Sequence, residues 1–296
     1  MADTFTYSYD NLAIKEDLLD LIANVDPTET QLLSGLKQGK ANQVIHTWLN
    51  DTLGTVGANA QIEGVTLEGA TRTNPSRDRN YTQIVTKAVA VSESDRASDS
   101  AGMSDRYAYE MNKAMKEWGN DAEYALMRGT LVCGAGTTAR SMKGLKAFAS
   151  TLKTTSSGTS LSEAIMLDWL DLAWDNGTNM KEVYVGRVLK RRIDEWTAGS
   201  TKNIDAEDRR LVRAVDVYEG TNGIQKIFRH RYITVSGDTN YDLVMVDPDY
   251  LSTAYLRKPK HISLAKINDS TRGAIVGELT LECRHEKAVT LLAQLL

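Results

Sequence analysis

The stretch Met103–Gly129, MSDRYAYEMNKAMKEWGNDAEYALMRG, repeats apolar side chains at intervals of three and four residues. That spacing is the period of an α-helix and places one apolar stripe along the segment. With Ser104 as its N-cap and Gly129 at its end, we predict a single helix of about 25 residues and about 38 Å. The stripe consists of Met103, Tyr107, Met111, Ala114, Met115, Trp118, Ala122, Ala125 and Leu126.

A glycine-rich segment precedes this helix. Residues 50–80 contain four glycines, one proline and few large apolar side chains, so they cannot bury a core of their own. The flanking runs Gln43–Trp48 and Tyr81–Val91 are both typical of strands. A long connection without a core of its own is usually either functional or disordered, and here the strand-like flanks favour a projecting arm. We therefore predict a long hairpin whose glycine-rich tip projects from the body.

The decapeptide LVCGAGTTAR, residues 131–140, follows the helix and contains G-x-G-x-x-A at Gly134–Ala139. This pattern raises the alternative of a nicotinamide-dependent oxidoreductase. A dinucleotide site needs a strand before the first glycine, a helix after the last one and an acidic residue about 20 positions on. Here a long helix comes first, Gly144 soon follows, and residues 154–160 read TTSSGTS. We expect the glycines to reverse the chain instead.

A second α/β region begins near residue 160. The pattern S-x-x-E at Ser160 predicts a capping box and a helix ended by Asn176-Gly177, and Asn222-Gly223 predicts a hairpin turn. After Asp247, Pro248 predicts a helix or turn through Tyr255. The predicted elements are the helix Leu161–Asp175, the strand Lys181–Gly186, the helix Arg187–Trp196, the hairpin Leu211–Tyr218 with Ile224–Tyr232, and the strands Tyr241–Val246, Ala274–Arg284 and His285–Leu296.

Charge is distributed unevenly along a chain of net charge −4. The first 35 residues carry seven Asp or Glu against one Lys, whereas residues 181–231 carry twelve Lys or Arg against eight acids. Two interpretations stay open for the basic side chains. They face a polyanion or the acidic arm of a neighbouring subunit, or they belong to a solvated surface. The candidates for a basic surface are Arg187, Lys190, Arg191, Arg192, Arg229 and Arg231.

The chain shows no pattern of catalytic or metal-binding chemistry. It lacks G-x-S-x-G, H-E-x-x-H and a phosphate-binding P-loop, and its four histidines fall on separate predicted elements. The two cysteines, Cys133 and Cys283, are far apart and are expected to be free thiols. The first residues lack a signal peptide's pattern, and no apolar run is long enough to span a membrane. We expect no enzymatic activity, cofactor, metal or membrane contact.

The order of these parts resembles the major capsid proteins of tailed bacteriophages, an α+β fold of the Hong Kong 97 type. The stretches Trp48–Leu53 (WLNDTL) and Ile275–Ala288 (IVGELTLECRHEKA) are similar to that group's loop entry and closing segment. The resemblance implies an N-terminal arm at 1–41, an extended loop at 42–91, a peripheral domain with a spine helix at 92–150, an axial domain at 151–262, and return strands of the peripheral domain at 263–296.

The resemblance also implies a structural function. Copies are expected to form hexamers and pentamers of an icosahedral head that encloses double-stranded DNA, assembled in the host bacterial cytoplasm and located in the virion. Portal, scaffold and decoration proteins are the further partners it implies. No long scaffolding segment precedes the arm, so a separate scaffold, or none, is expected. The alternatives are an encapsulin-type nanocompartment shell and a tail or neck protein that builds a ring.

Contacts between subunits are expected to be noncovalent. Some relatives form a lysine–asparagine isopeptide bond from the extended loop, but residues 42–86 contain no lysine. Exposed salt bridges contribute at most about 1 kcal/mol each. The candidates for contacts between subunits are Glu63, Glu68, Arg72, Arg77 and Arg79.

Overall fold

The computed structural model describes residues 28–54, 56–65, 74–98, 105–155, 158–196, 216–220, 222–234 and 241–295. The helices of this part of the chain are α1 (Gln31–Gly35), α2 (Glu93–Ala97), α3 (Arg106–Arg128), α4 (Leu145–Phe148), α5 (Glu163–Asp175) and α6 (Arg187–Trp196). The strands are β1 (Lys37–Lys40), β2 (Ile45–Asn50), β3 (Ser76–Tyr81), β4 (Gln83–Ser92), β5 (Lys153–Thr155), β6 (Glu182–Val185), β7 (Val217–Gly220), β8 (Gly223–Arg229), β9 (Tyr241–Val246), β10 (Leu251–Leu264), β11 (Ser270–Cys283) and β12 (Val289–Leu295).

The predicted long helix is confirmed as α3, which has 23 residues. Its N-cap is Asp105 rather than Ser104: the Asp105 carboxylate accepts a hydrogen bond from the N–H of Tyr107 at 3.0 Å. Gly129 follows its last turn as predicted. No helix among the described residues combines the length and the apolar character needed to cross a bilayer.

The buried stripe of α3 packs on a four-stranded sheet with the order β1-β10-β11-β4. Trp118 fixes this contact, because its indole N–H donates to the carbonyl oxygen of Val85 at 2.9 Å. The ring lies directly over Gly277 of β11, where an added Cβ would come within 2.5 Å of it. Glycine at 277 therefore lets the helix approach the sheet closely.

Strand β10 corrects the prediction of a helix or turn through Tyr255. Only a short 3₁₀ turn, Pro248–Tyr250, follows Asp247, and the chain then extends for 14 residues as β10. The strand is buried only along its first residues and pairs with β11 through two register shifts, which obscures its alternation. The expected domain boundary between residues 262 and 263 falls inside β10.

The predicted hairpin is present, but its second strand differs from the prediction. β2 pairs antiparallel with β3, from Ile45 opposite Tyr81 to Asn50 opposite Ser76. The stretch predicted as the partner, Tyr81–Val91, mostly forms β4, which pairs with β11 in the sheet under α3. The sequence of β3, SRDRNY, is polar on both faces, so it gives no apolar alternation to recognise.

The second sheet has the order β5-β12-β9-β6-β8-β7, with α5 and α6 packed against it. The N-cap of α5 is Ser162, whose hydroxyl accepts from the N–H of Ile165 at 3.4 Å, so the predicted cap at Ser160 is wrong by two residues. Gly177 has φ +86° and ends this helix as predicted. β12 joins this sheet rather than the one under α3.

Residues 28–41, here called the N-terminal segment, connect both halves of the molecule. Helix α1 lies against α3, and β1 adds a parallel strand to β10. Lys37 at the start of β1 forms an ion pair with Asp249 at 3.1 Å, and Lys181 beside the second sheet pairs with the same carboxylate. The remainder of the predicted acidic arm lies outside the described residues.

Candidate interaction surfaces

The tip of the hairpin exposes large apolar side chains to solvent. Leu53 and Val56 are 98% exposed and Ile62 is 80% exposed, although these are residue types that normally bury. Leu49 and Val65 extend the exposed group along the same connection. Apolar side chains clustered on one projecting segment are typical of a surface that contacts another protein.

The two faces of the hairpin differ in character. Residues of β2 alternate between exposed and half-buried, and the exposed ones include Thr47 and Leu49. Directly opposite them on β3 lie Arg79 and Arg77, both exposed. Because cross-strand partners project from the same face, these four side chains form one outer face that is apolar and positively charged. We call this the outer hairpin face.

The predicted contact residues fall in three places. Arg77 and Arg79 lie together on the outer hairpin face, and Glu63 is exposed near the tip. Glu68 and Arg72 lie outside the described residues. Contact of these residues with another subunit therefore stays a proposal.

The base of the hairpin is held rigidly to the body by Asn80, which is completely buried. Its side-chain amide donates to the carbonyl oxygens of Lys143 at 3.0 Å and Leu281 at 2.7 Å. Its side-chain oxygen accepts from the backbone N–H groups of Lys143 at 2.7 Å and Tyr81 at 2.9 Å. The three hydrogen bonds to Lys143 and Leu281 fix the direction in which the hairpin leaves the body.

A buried carboxylate, Glu278 of β11, joins three further elements beside this base. It accepts hydrogen bonds from the Thr82 hydroxyl at 2.6 Å, from Arg140, and from Arg257 at 3.0 Å. Burial raises the pKa of this carboxyl, but the hydrogen bonds from Thr82 and Arg140 and the Arg140 charge outweigh it and hold the pKa below its ordinary value. Glu278 is therefore an ionised crosslink.

The LVCGAGTTAR segment forms a small loop that doubles back on itself. Val132 pairs with Ser141 and Ala135 with Thr138, and Gly136 has φ +55°. The expected chain reversal is confirmed, and the arrangement differs from the strand, turn and helix of a dinucleotide site. Beside the loop lies an open, largely apolar cleft of about 590 Å³, lined among others by Val44, Ile45, Ile84, Cys133, Ala135 and Ala139.

The six predicted basic residues do not share one role. Lys190 is buried, and its ammonium lies 3.5 Å from Asp194 and 3.4 Å from Asp216. Arg192 donates to the hydroxyl of Ser160. Both basic side chains therefore already have partners within the same subunit.

The other members of the group are exposed. Arg231 forms an ion pair with Glu29 at 3.4 Å, which joins it to the N-terminal segment. Arg187 and Arg191 are one turn apart on α6, and Arg229 ends β8. Their binding of a polyanion stays a proposal.

The sequence pattern did not reveal the junction at Glu123 of α3. The Glu123 carboxylate is fully buried and accepts from the N–H groups of Leu32 and Leu33, each at 2.8 Å. The same carboxylate is 2.8 Å from Nε2 of His230, whose Nδ1 accepts from the N–H of Tyr232 at 3.2 Å. The helical pattern placed Glu123 on the polar face, and no local signal relates it to residues 91 and 107 positions away.

Comparison with known proteins agrees with this architecture. The whole chain, residues 1–296, matches the family model of the SU10 major capsid protein. The major capsid protein of Escherichia phage Phieco32 is 31% identical over 127 residues, which cover 43% of this chain and 36% of that protein.

Two solved structures show how widely the fold is shared. The capsid subunit of Cyanophage A-1(L) has a TM-score of 0.71 at 12% identity and covers 95% of this chain and 97% of its own. The SrpI encapsulin of Synechococcus elongatus has a TM-score of 0.62 at 8% identity and covers 99% and 96%. The predicted α+β capsid fold is confirmed, and the match over its whole length shows that the chain belongs to the SU10 major capsid protein family.

Proposed function

We propose that this major capsid protein forms hexamers and pentamers that close into an icosahedral shell around double-stranded DNA. Its family membership already makes it a structural subunit of the virion capsid. The observation that carries the finer proposal is the projecting hairpin, whose apolar tip is almost fully exposed in the single chain. Such a tip becomes stable when it is covered by another copy.

Apolar burial, rather than ion pairing, provides most of the contact energy in this proposal. Burying a Leu or Val side chain fully contributes about 1.5–3 kcal/mol, and Leu53, Val56 and Ile62 are all available. Salt bridges from Arg77, Arg79 or Glu63 contribute about 0–1 kcal/mol each while they remain exposed. The charged residues therefore set register and partner choice more than strength.

The contacts of the hairpin are proposed to remain noncovalent. Its strands and the described part of its tip contain no lysine, so this loop has no amine that could form an isopeptide bond. Mature shells boiled in detergent should run as monomers on a denaturing gel. A ladder of covalent oligomers would contradict the proposal for this loop.

The two sheets support a division into two structural domains. We propose that the sheet under α3, with strands β1, β4, β10 and β11, forms the peripheral domain. We propose that the second sheet, including β12, forms the axial domain around the capsomer axes. This assignment keeps the expected cores at 92–150 and 151–262 but follows the strand pairing elsewhere. It moves β1 from the arm, β4 from the extended loop and β10 from the axial domain to the peripheral domain, and it moves β12 to the axial domain.

The exposed arginines of the second domain are the proposed contacts with DNA. Arg187, Arg191 and Arg229 can each neutralise a phosphate without reading sequence. Lys190 is omitted because it is buried and its charge is matched by two aspartates, Asp194 and Asp216. Assembly in the host cytoplasm, with portal, scaffold or decoration proteins as partners, completes the proposal, and no enzymatic step is part of it.

A nanocompartment shell is the second candidate, because an encapsulin shares this fold. Electron microscopy of particles purified from producing cells distinguishes the two. Closed shells that contain nuclease-protected DNA and carry a tail at one vertex support the phage head. Closed shells without DNA that enclose a co-purified enzyme would favour the nanocompartment, and a protein that forms only small oligomers would contradict both.

A further inference from the structure

The buried carboxylate of Glu123 lies where three distant parts of the chain meet: α1, α3 and the end of β8. We propose that Glu123 is a positioning residue that couples the attachment of the N-terminal segment to the position of the second sheet, with His230 as the link. This inference goes beyond the proposed function, because it concerns motion within one subunit and requires neither DNA nor a particular shell.

Glu123 provides a cap that α1 lacks. The first N–H groups of a helix have no acceptor within the helix, and a side chain at the N-cap usually provides one. The N-cap residue of α1, Thr30, makes no such side-chain hydrogen bond. Instead Oε1 of Glu123 accepts from Leu32 N–H and Oε2 accepts from Leu33 N–H. The attachment of α1 therefore depends on a carboxylate from another helix.

The second half of the junction is anchored in the second sheet. His230 directly follows β8, and its backbone N–H donates to the carbonyl oxygen of Val185 at the end of β6 at 2.8 Å. Because Nδ1 of the ring accepts from Tyr232 N–H, the hydrogen on Nε2 is the one donated to Glu123. The rings of Tyr184 and Tyr232 contact the imidazole edge to face, at 6.0 and 5.9 Å between centroids.

Coupling follows from the shared carboxylate. A buried charge is costly unless donors surround it, and here three donors supply that solvation. If the second sheet moves away from α3, His230 leaves and only the two donors of α1 remain. The closed arrangement then becomes less stable relative to one in which α1 detaches and water reaches Glu123. By linkage, detachment of α1 weakens the contact between His230 and Glu123 by the same free energy.

Hydrogen exchange measured by mass spectrometry tests the coupling in the full-length subunit. His230→Asn keeps an acceptor near the Nδ1 position for Tyr232 N–H but is too short to reach Glu123. The longer side chain of His230→Gln keeps an amide N–H donor that reaches the Glu123 carboxylate. We expect the Leu32 and Leu33 amides to exchange about tenfold faster in His230→Asn and at the wild-type rate in His230→Gln, because a hydrogen bond to a charged group is lost only in the former.

Glu123→Gln gives the reciprocal measurement. It should accelerate exchange at Leu32 and Leu33 and also at Tyr232, while peptides from α5 keep their protection. Wild-type protection of Leu32 and Leu33 in His230→Asn would overturn the coupling, as would equal acceleration in both His230 variants. If His230→Asn does not fold, Glu123→Gln decides alone: faster exchange at Tyr232 supports the coupling, and unchanged exchange there overturns it.

Discussion

The side chain of Asn80 forms a two-way pair with the backbone of Lys143, donating to its carbonyl oxygen at 3.0 Å and accepting from its N–H at 2.7 Å. The pair joins the end of β3, at the base of the projecting hairpin, to the segment that follows the LVCGAGTTAR loop. It explains how a hairpin without a core of its own has a defined direction. Rigidity at the base and exposure at the tip are the two properties on which the assembly proposal depends.

Replacing Asn80 with Ala should lower the free energy of unfolding by about 2–3 kcal/mol, because it removes hydrogen bonds from the buried carbonyl of Leu281 and the partly buried backbone of Lys143. Denaturant unfolding of unassembled subunits, followed by tryptophan fluorescence, measures this. Asn59→Ala in the exposed tip is the matched control and should change nothing. Equal stability of the two variants would show that the hydrogen bonds of Asn80 do not stabilise the fold.

Gly277→Ala should destabilise the packing of α3 on its sheet by about 1–3 kcal/mol, because the new methyl group would overlap the Trp118 ring. A shift in the fluorescence of Trp118 should accompany the loss. Gly57→Ala is the control, since nothing lies within 4 Å of a Cβ at that position. Thermal melting compares the variants, and a wild-type melting temperature for Gly277→Ala would contradict the described packing.

Acid sensitivity should depend in part on Glu278. Its pKa is lower in the folded chain than its ordinary value of 4.5. A carboxyl with a depressed folded pKa contributes stability above the unfolded pKa, and that stability is lost as the pH falls through the folded pKa. Glu278→Gln should therefore be less stable than wild type at pH 7, by about 3 kcal/mol, with a smaller difference below about pH 4.

The measurement for Glu278 is the free energy of unfolding as a function of pH for wild type, Glu278→Gln and Glu219→Gln. Glu219 is exposed on β7, so its variant should follow the wild-type curve. A constant difference between Glu278→Gln and wild type from pH 7 to pH 3 would contradict the ionised crosslink.

Removing Arg187 and Arg191 together should weaken the retention of DNA in filled particles in a salt-dependent manner. Each arginine that no longer neutralises a phosphate reduces the slope of log affinity against log salt by about 1. Release of DNA during a salt titration measures the effect. Lys116→Ala on the exposed face of α3 removes a charge elsewhere and should leave retention unchanged. Identical release curves for all variants would count against an interior basic surface.

Sequence reasoning recovered the elements whose signals are local. The three-and-four spacing from Met103 to Leu126 predicts α3, and the turn signals at Asn176-Gly177 and Asn222-Gly223 lie where the chain turns. The projecting hairpin was also predicted, since a segment with so many glycines cannot build its own core, but the sequence did not predict that its tip exposes apolar side chains. These features depend on residues within a few positions of each other.

Other features depend on partners far away in the chain. β3 gives no apolar alternation because its first four residues are all exposed and only Asn80 and Tyr81 at its end are buried, one on each face. Lys190 was predicted to belong to a basic surface, yet its ammonium pairs with Asp194 of its own helix and with Asp216. Glu123 looked like a solvated helix residue, and only the fold brings Leu32 and His230 to it.

Assembly is proposed to depend on the hairpin tip as a contact between subunits, and a double substitution Leu53→Ser/Val56→Ser tests this most directly. Both side chains are exposed in the single chain, so the variant should unfold at the same denaturant concentration as wild type. Light scattering and size-exclusion chromatography should show subunits or small oligomers where wild type and the control Thr52→Ser form closed shells. Shells formed by the double variant at the wild-type protein concentration and yield would contradict the central claim.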